Sequence, residues 1–182
     1  MTTIIGIQLD NGCILVADSL VTDDTGRKYS HPAMKKLVER GQFIVGVSGD
    51  WTICNIVQHH WNPPSPTVKD RQDLYHFMVA KVAPSLRQCL IEHGYSFDDQ
   101  NGKKDGESFH FLVAVSGTIF DIDQELSVTM NSDGIYAVGS GGDFALGALH
   151  AGADAHIAME VASRLSALTA GPYISKEQFK RS

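Results

Sequence analysis

No stretch of this sequence stays apolar for the length of a membrane span, and no basic region opens it. Neither a transmembrane helix nor a secretory leader is expected. Lysine and arginine never form a run, and 15 of them against 21 acidic residues give a formal charge of −6. That balance leaves no electrostatic footprint for nucleic acid. Cysteine is scarce: Cys13, Cys54 and Cys89 are an odd number without metal-ligand spacing. A disulfide framework is excluded, and a reducing, cytoplasmic compartment is expected. The eight histidines form no ligand pattern, so no metal or cofactor is expected. The stretch "GSGG" lacks the G-x-G-x-x-G spacing of a dinucleotide site, and Val138 stands where a G-x-S-x-G elbow needs its first glycine. What is present is a globular composition, 43% hydrophobic and 20% charged, over 182 residues. One domain, 1–182, with one well-buried core fits that length.

Thr2 to Leu9 reads as a strand, with Thr3, Ile5, Ile7 and Leu9 on one face. Asn11-Gly12 predicts a tight hairpin turn, and Cys13 to Asp18 the returning strand. Residues 19–33 are polar and read as loop, with room for a short irregular strand. Strands follow over 34–40 and 42–48, around Gly41. The first alternates, with Met34, Lys36, Val38 and Arg40 on one face and Lys35, Leu37 and Glu39 on the other. A short helix near Trp51 is stopped by Pro63-Pro64, and a longer one spans about Asp70 to Glu92 with a disturbance at Pro84. A polar loop covers 96–108. A second hairpin turns at Ser116-Gly117, with further strands over 126–130 and 134–140. Two helices close the order, over 141–152 and 154–168, the second with Ile157, Val161 and Leu165 on its apolar face. "FIVGV" and "FLVAV" are apolar on both faces, so the sheets are covered on both sides. The expected class is α+β, a four-layer αββα sandwich of two stacked, mainly antiparallel sheets.

Several of these motifs carry a resemblance. "TTIIGIQLDNGCILVADS", with its threonine pair, apolar strand, glycine turn and closing "ADS", is similar to the start of the bacterial HslV peptidase and of proteasome β-subunits. "MKKLVER" resembles the lysine-bearing strand of that family, "VGVSGD" its small-residue turn, and "YAVGSGGDFALGAL" its glycine turn and helix. "LTAGP" resembles the turn after its last helix. The motifs run through nearly the whole chain in the family's order. The resemblance implies an N-terminal-nucleophile (Ntn) hydrolase, a homo-oligomeric ring of six or seven subunits that stacks in some relatives, a peptide or unfolded-protein substrate, and an ATP-dependent unfoldase as an optional partner. It implies Thr2, Asp18 and Lys36 as the reacting triad and Ser140 as a bond to the Thr2 amine. It also places Val21, Met34, Val47 and Trp51 near the substrate. One position departs: many relatives carry an aspartate where this chain has Ser166, three residues before Thr169.

The chemistry of these residues agrees. Threonine after an initiator methionine is small enough for Met1 to be removed, which gives Thr2 both a hydroxyl and a free α-amine. The amine is a recognised activating base for such a hydroxyl, and its ordinary pKa of about 7.7–8.0 suits proton uptake near neutrality. Lys36 falls on the apolar face of its strand, and Asp18, closing the second strand opposite Thr2, is its candidate counter-ion. Lys35 is the competing assignment. A backbone N–H at Gly49 is a candidate oxyanion donor, and Ser48 a candidate helix cap. Three functions are consistent with the sequence: a threonine peptidase in a closed ring, an amidohydrolase of the same fold acting on a small amide, and a weak or inactive ring-forming homologue, which Ser166 favours.

Overall fold

The computed structural model describes residues 2–23, 25–97 and 109–180. The expected loop at 96–108 lies almost wholly outside them, as does Met1. In chain order the strands are β1 (Thr3–Leu9), β2 (Gly12–Ala17), β3 (Val21–Thr22), β4 (Lys28–Tyr29), β5 (Leu37–Arg40), β6 (Phe43–Ser48), β7 (His110–Val115), β8 (Thr118–Ile122), β9 (Val128–Thr129), β10 (Ile135–Gly139) and β11 (Ile174–Phe179). The helices are α1 (Trp51–His59), α2 (Val68–Gln72), α3 (Leu74–Phe77), α4 (Ala83–Glu92), α5 (Gly142–His150) and α6 (Ala155–Leu165). One sheet has the order β10-β1-β2-β11 and the other β5-β6-β7-β8-β9. Both are antiparallel throughout.

Strand alternation sorts the apolar side chains into three interlayer cores. Ile5 and Val16 turn outward onto Ala145, Leu149, Ala158, Met159 and Ala162 of α5 and α6. Ile4, Leu15 and Ala17 turn inward and meet Ile44, Leu112 and Ile119 of the second sheet. Phe43, Val45, Val113 and Phe120 face the other way, against Ile53, Val57, Leu86 and Leu90 of α1 and α4. The layer order is therefore αββα, as the two-faced apolar runs predict.

Several local expectations are corrected. The first hairpin pairs Leu9 with Gly12, so its two loop residues are Asp10 and Asn11, one step earlier than expected. Gly12 has ordinary φ, and its missing side chain serves contact instead: a Cβ there would overlap the Gln178 carbonyl of β11. The long second helix is broken. Asp73 ends α2 and caps α3 through the His76 N–H, and a π-helical turn spans Met78–Val82. Proline lacks the N–H that position 84 would donate and its ring crowds the preceding turn, so the widened turn falls just ahead of Pro84. On α6 the buried face is Ala158, Met159 and Ala162, while Ile157 and Leu165 are exposed. Small residues win there because α5 packs closely. β11 was not expected at all: "ISKEQF" is a polar edge strand without an apolar rhythm.

Candidate active site

The start of β1, the end of β2, the approach to β5 and the ends of β6 and β10 converge at one end of the sandwich. Thr2, immediately before β1, is buried. Asp18 follows β2 and lies opposite Thr3, not Thr2: its N–H donates to the Thr3 carbonyl at 3.1 Å. Its carboxylate, 1% exposed, accepts from four donors. Thr3 N–H (2.8 Å) and Lys36 Nζ (2.7 Å) reach Oδ1, and Leu20 N–H (3.2 Å) and Ala170 N–H (3.3 Å) reach Oδ2. Lys36 also donates to the Leu20 carbonyl at 2.5 Å. The structure buries Lys36, 2% exposed, and leaves Lys35 at the surface. Burial holds the Lys36 ammonium below the ordinary lysine range, against Asp18, which raises it. This ion pair crosses from one sheet to the other.

Gly139 ends β10 with φ +90°, where a Cβ would overlap the Thr2 carbonyl oxygen. That carbonyl accepts the Ser140 N–H at 2.7 Å and the Ser140 hydroxyl at 3.2 Å. Ser140, expected beside the Thr2 amine, thus lies against the Thr2 main chain. Gly49, after β6, has φ +102°, a conformation that favours glycine, and leads into α1. Asp50 caps α1 by accepting from Thr52 N–H at 2.7 Å, so Ser48 is not the cap.

The turn after α6 docks against the same cluster. Thr169 Oγ1 lies 2.6 Å from Thr3 Oγ1, which also accepts the Gly141 N–H at 3.1 Å. Ser166 is buried, but its hydroxyl accepts from Leu168 N–H within its own turn. Val21 is buried in β3, next to Leu20, and Val47 packs into the α1/α4 core, its N–H donating to the Lys36 carbonyl at 3.0 Å. Met34 and Trp51 are half-buried. Burial pushes the Cys54 thiol up to about 12 and the Cys13 thiol up to about 11, so neither is a thiolate near neutrality.

No protein-family model matches the chain, and no curated protein matches it. Solved structures do. The BPH protein of Thiobacillus denitrificans, solved in complex with epoxomicin, is 23% identical over 100% of both chains with a TM-score of 0.76. HslV of Trypanosoma brucei is 21% identical over 98% of this chain and 99% of its own, with a TM-score of 0.62. Anbu, an ancestral β-subunit from Yersinia bercovieri, is 13% identical over 98% of this chain and 82% of its own, with a TM-score of 0.66. The chain shares the αββα fold of these proteins.

Proposed function

We propose that the protein is a threonine-type endopeptidase subunit of a proteasome-like ring, with Thr2 as nucleophile after removal of Met1. The observation that carries this reading is the buried Asp18–Lys36 pair, fixed at 2.7 Å where β1 begins. A buried cation beside a threonine that gains a free amine is a means of activating its hydroxyl. Thr2 Oγ1 attacks the scissile carbonyl and passes its proton to its own α-amine. The amine delivers that proton to the leaving nitrogen, and water then hydrolyses the ester. Gly49 N–H serves the oxyanion, and Lys36 favours the deprotonated hydroxyl. If Val21, Met34, Val47 and Trp51 lie near the substrate, as the resemblance implies, their apolar side chains favour cleavage after apolar residues. An unfoldase would feed such a ring.

Intact-mass spectrometry and fluorogenic peptides test this together. The mature mass should lack Met1. Hydrolysis should be abolished in Thr2→Ala, retained in part by Thr2→Ser, and blocked by epoxomicin, the compound bound in the BPH complex. Retained Met1 with no turnover would instead support an inactive ring-forming homologue. Ser166 favours that second reading, since no carboxylate stands at that position and its hydroxyl is engaged in its own turn.

A further inference from the structure

Ser48 ends β6 on the side that faces the other sheet, two residues after Gly46, which contacts Ile4. It is 4% exposed. A Cβ on Gly139 would stand 2.6 Å from Ser48 Oγ while overlapping the Thr2 carbonyl oxygen, so one small volume separates these groups. Across β6 and β7, Ser48 pairs in register with His110. Both share the inter-sheet face, because Gly46 pairs with Leu112, a residue of the central core. On β8, Asp121 lies on the same face as Ile119, and its Oδ1 is 2.6 Å from His110 Nε2. A row of polar groups thus runs Asp121, His110, Ser48 toward Thr2, on the side of β6 away from Lys36.

We propose that Ser48 Oγ is a second hydroxyl at the reacting centre, donating to the oxyanion that forms on the scissile carbonyl, with His110 and Asp121 as positioning residues. Asp121 occupies Nε2, which leaves Nδ1 as the nitrogen for Ser48. When the imidazole is protonated, Nδ1–H donates to Ser48 Oγ, and the serine proton points away toward the oxyanion. When the imidazole is neutral, Nδ1 becomes an acceptor and draws the serine proton to itself. No proton is transferred in either state; only the direction of donation changes. The hydrogen bond to Asp121 raises the His110 pKa, opposed by burial and helped by the charges of Asp121 and Asp123, so the donating arrangement persists above the ordinary histidine range. The structure does not show this Ser48–His110 bond; on this proposal it forms between these cross-strand neighbours before substrate binds.

The inference rests on the peptidase reading, and its test separates the two. Peptide hydrolysis by the mature wild-type, Ser48→Ala, His110→Gln and double-variant proteins is followed as a function of pH. Ser48→Ala should lower kcat by about 100-fold, as loss of an oxyanion donor does, with KM nearly unchanged. His110→Gln should remove the fall in kcat that wild type shows as pH rises through the imidazole pKa. The double variant should lose no more than Ser48→Ala alone. Unchanged kcat in Ser48→Ala, or additive losses in the double variant, would overturn the proposal. NMR titration of the His110 ring reads the same contact without turnover: its pKa should drop in Ser48→Ala, and an identical curve also overturns it. A wild-type protein that cleaves nothing, with the ring titration still shifted, would sink the peptidase reading and the oxyanion role while leaving the Ser48–His110 hydrogen bond established.

Discussion

Lys36→Ala leaves the Asp18 carboxylate buried with its three N–H donors and no counter-charge. Breaking one side of a buried pair costs about 3–5 kcal/mol. The expected outcome is a large drop in the denaturation midpoint alongside lost hydrolysis, so folding must be measured with activity. Lys35→Ala, at the surface, should change neither. His110 offers a second test of environment. Its folded pKa is raised, so its contribution to stability is fully present below the unfolded histidine value and is lost as pH rises through the folded one. Thermal melts of wild type and His110→Gln should therefore differ most on the acid side and converge in alkali. Alternation in the sequence pointed to Lys36 over Lys35, but Lys36 lies before β5, where Lys36, Leu37 and Val38 are all buried, and what holds it inside is Asp18 and the Leu20 carbonyl. The Ser48 hydroxyl was not legible, since a serine before glycine and aspartate reads as a helix cap until Asp50 is seen to take that role.

At the scale of elements, Gly12→Ala tests how the edge strand is held. The added methyl would overlap the Gln178 carbonyl, backbone that cannot rotate away. Overpacking of this kind costs about 1–3 kcal/mol. Hydrogen exchange should quicken across Ile174–Phe179 while β1 stays protected. The main strands were legible from their apolar runs, each of which found a partner sheet or helix. What failed to show were elements whose placement depends on tertiary contact. β11 is held by pairing with β2 and by Lys180 N–H on the Asn11 carbonyl, not by apolar burial of its own. On α6 the larger side chains suggested the core face, but the close approach of α5 selects Ala158 and Ala162. Asp73 broke the second helix because its carboxylate can cap the next one, which hydrophobic periodicity does not register.

For the molecule as a whole, the spacing of the two sheets governs the site. Gly46 lies where they approach, and a Cβ there would stand 3.0 Å from Leu37 Cδ2 and 3.1 Å from Ile4 Cδ1. Gly46→Val should wedge the sheets apart and lower Tm by roughly 2–12 °C. Hydrolysis should fall with it although no site residue has changed. Light scattering should give a multiple of the subunit mass if the ring reading holds, and a monomer at micromolar concentration would count against it. The Asp18–Lys36 bridge between the sheets also bears on ancestry. Selection for a chain that folds and selection for one that cuts would guard the same two positions. A descendant that discards Thr2 would keep both for as long as it stays folded, so the pair by itself records the sandwich, and the pair beside a surviving threonine is what the peptidase reading needs.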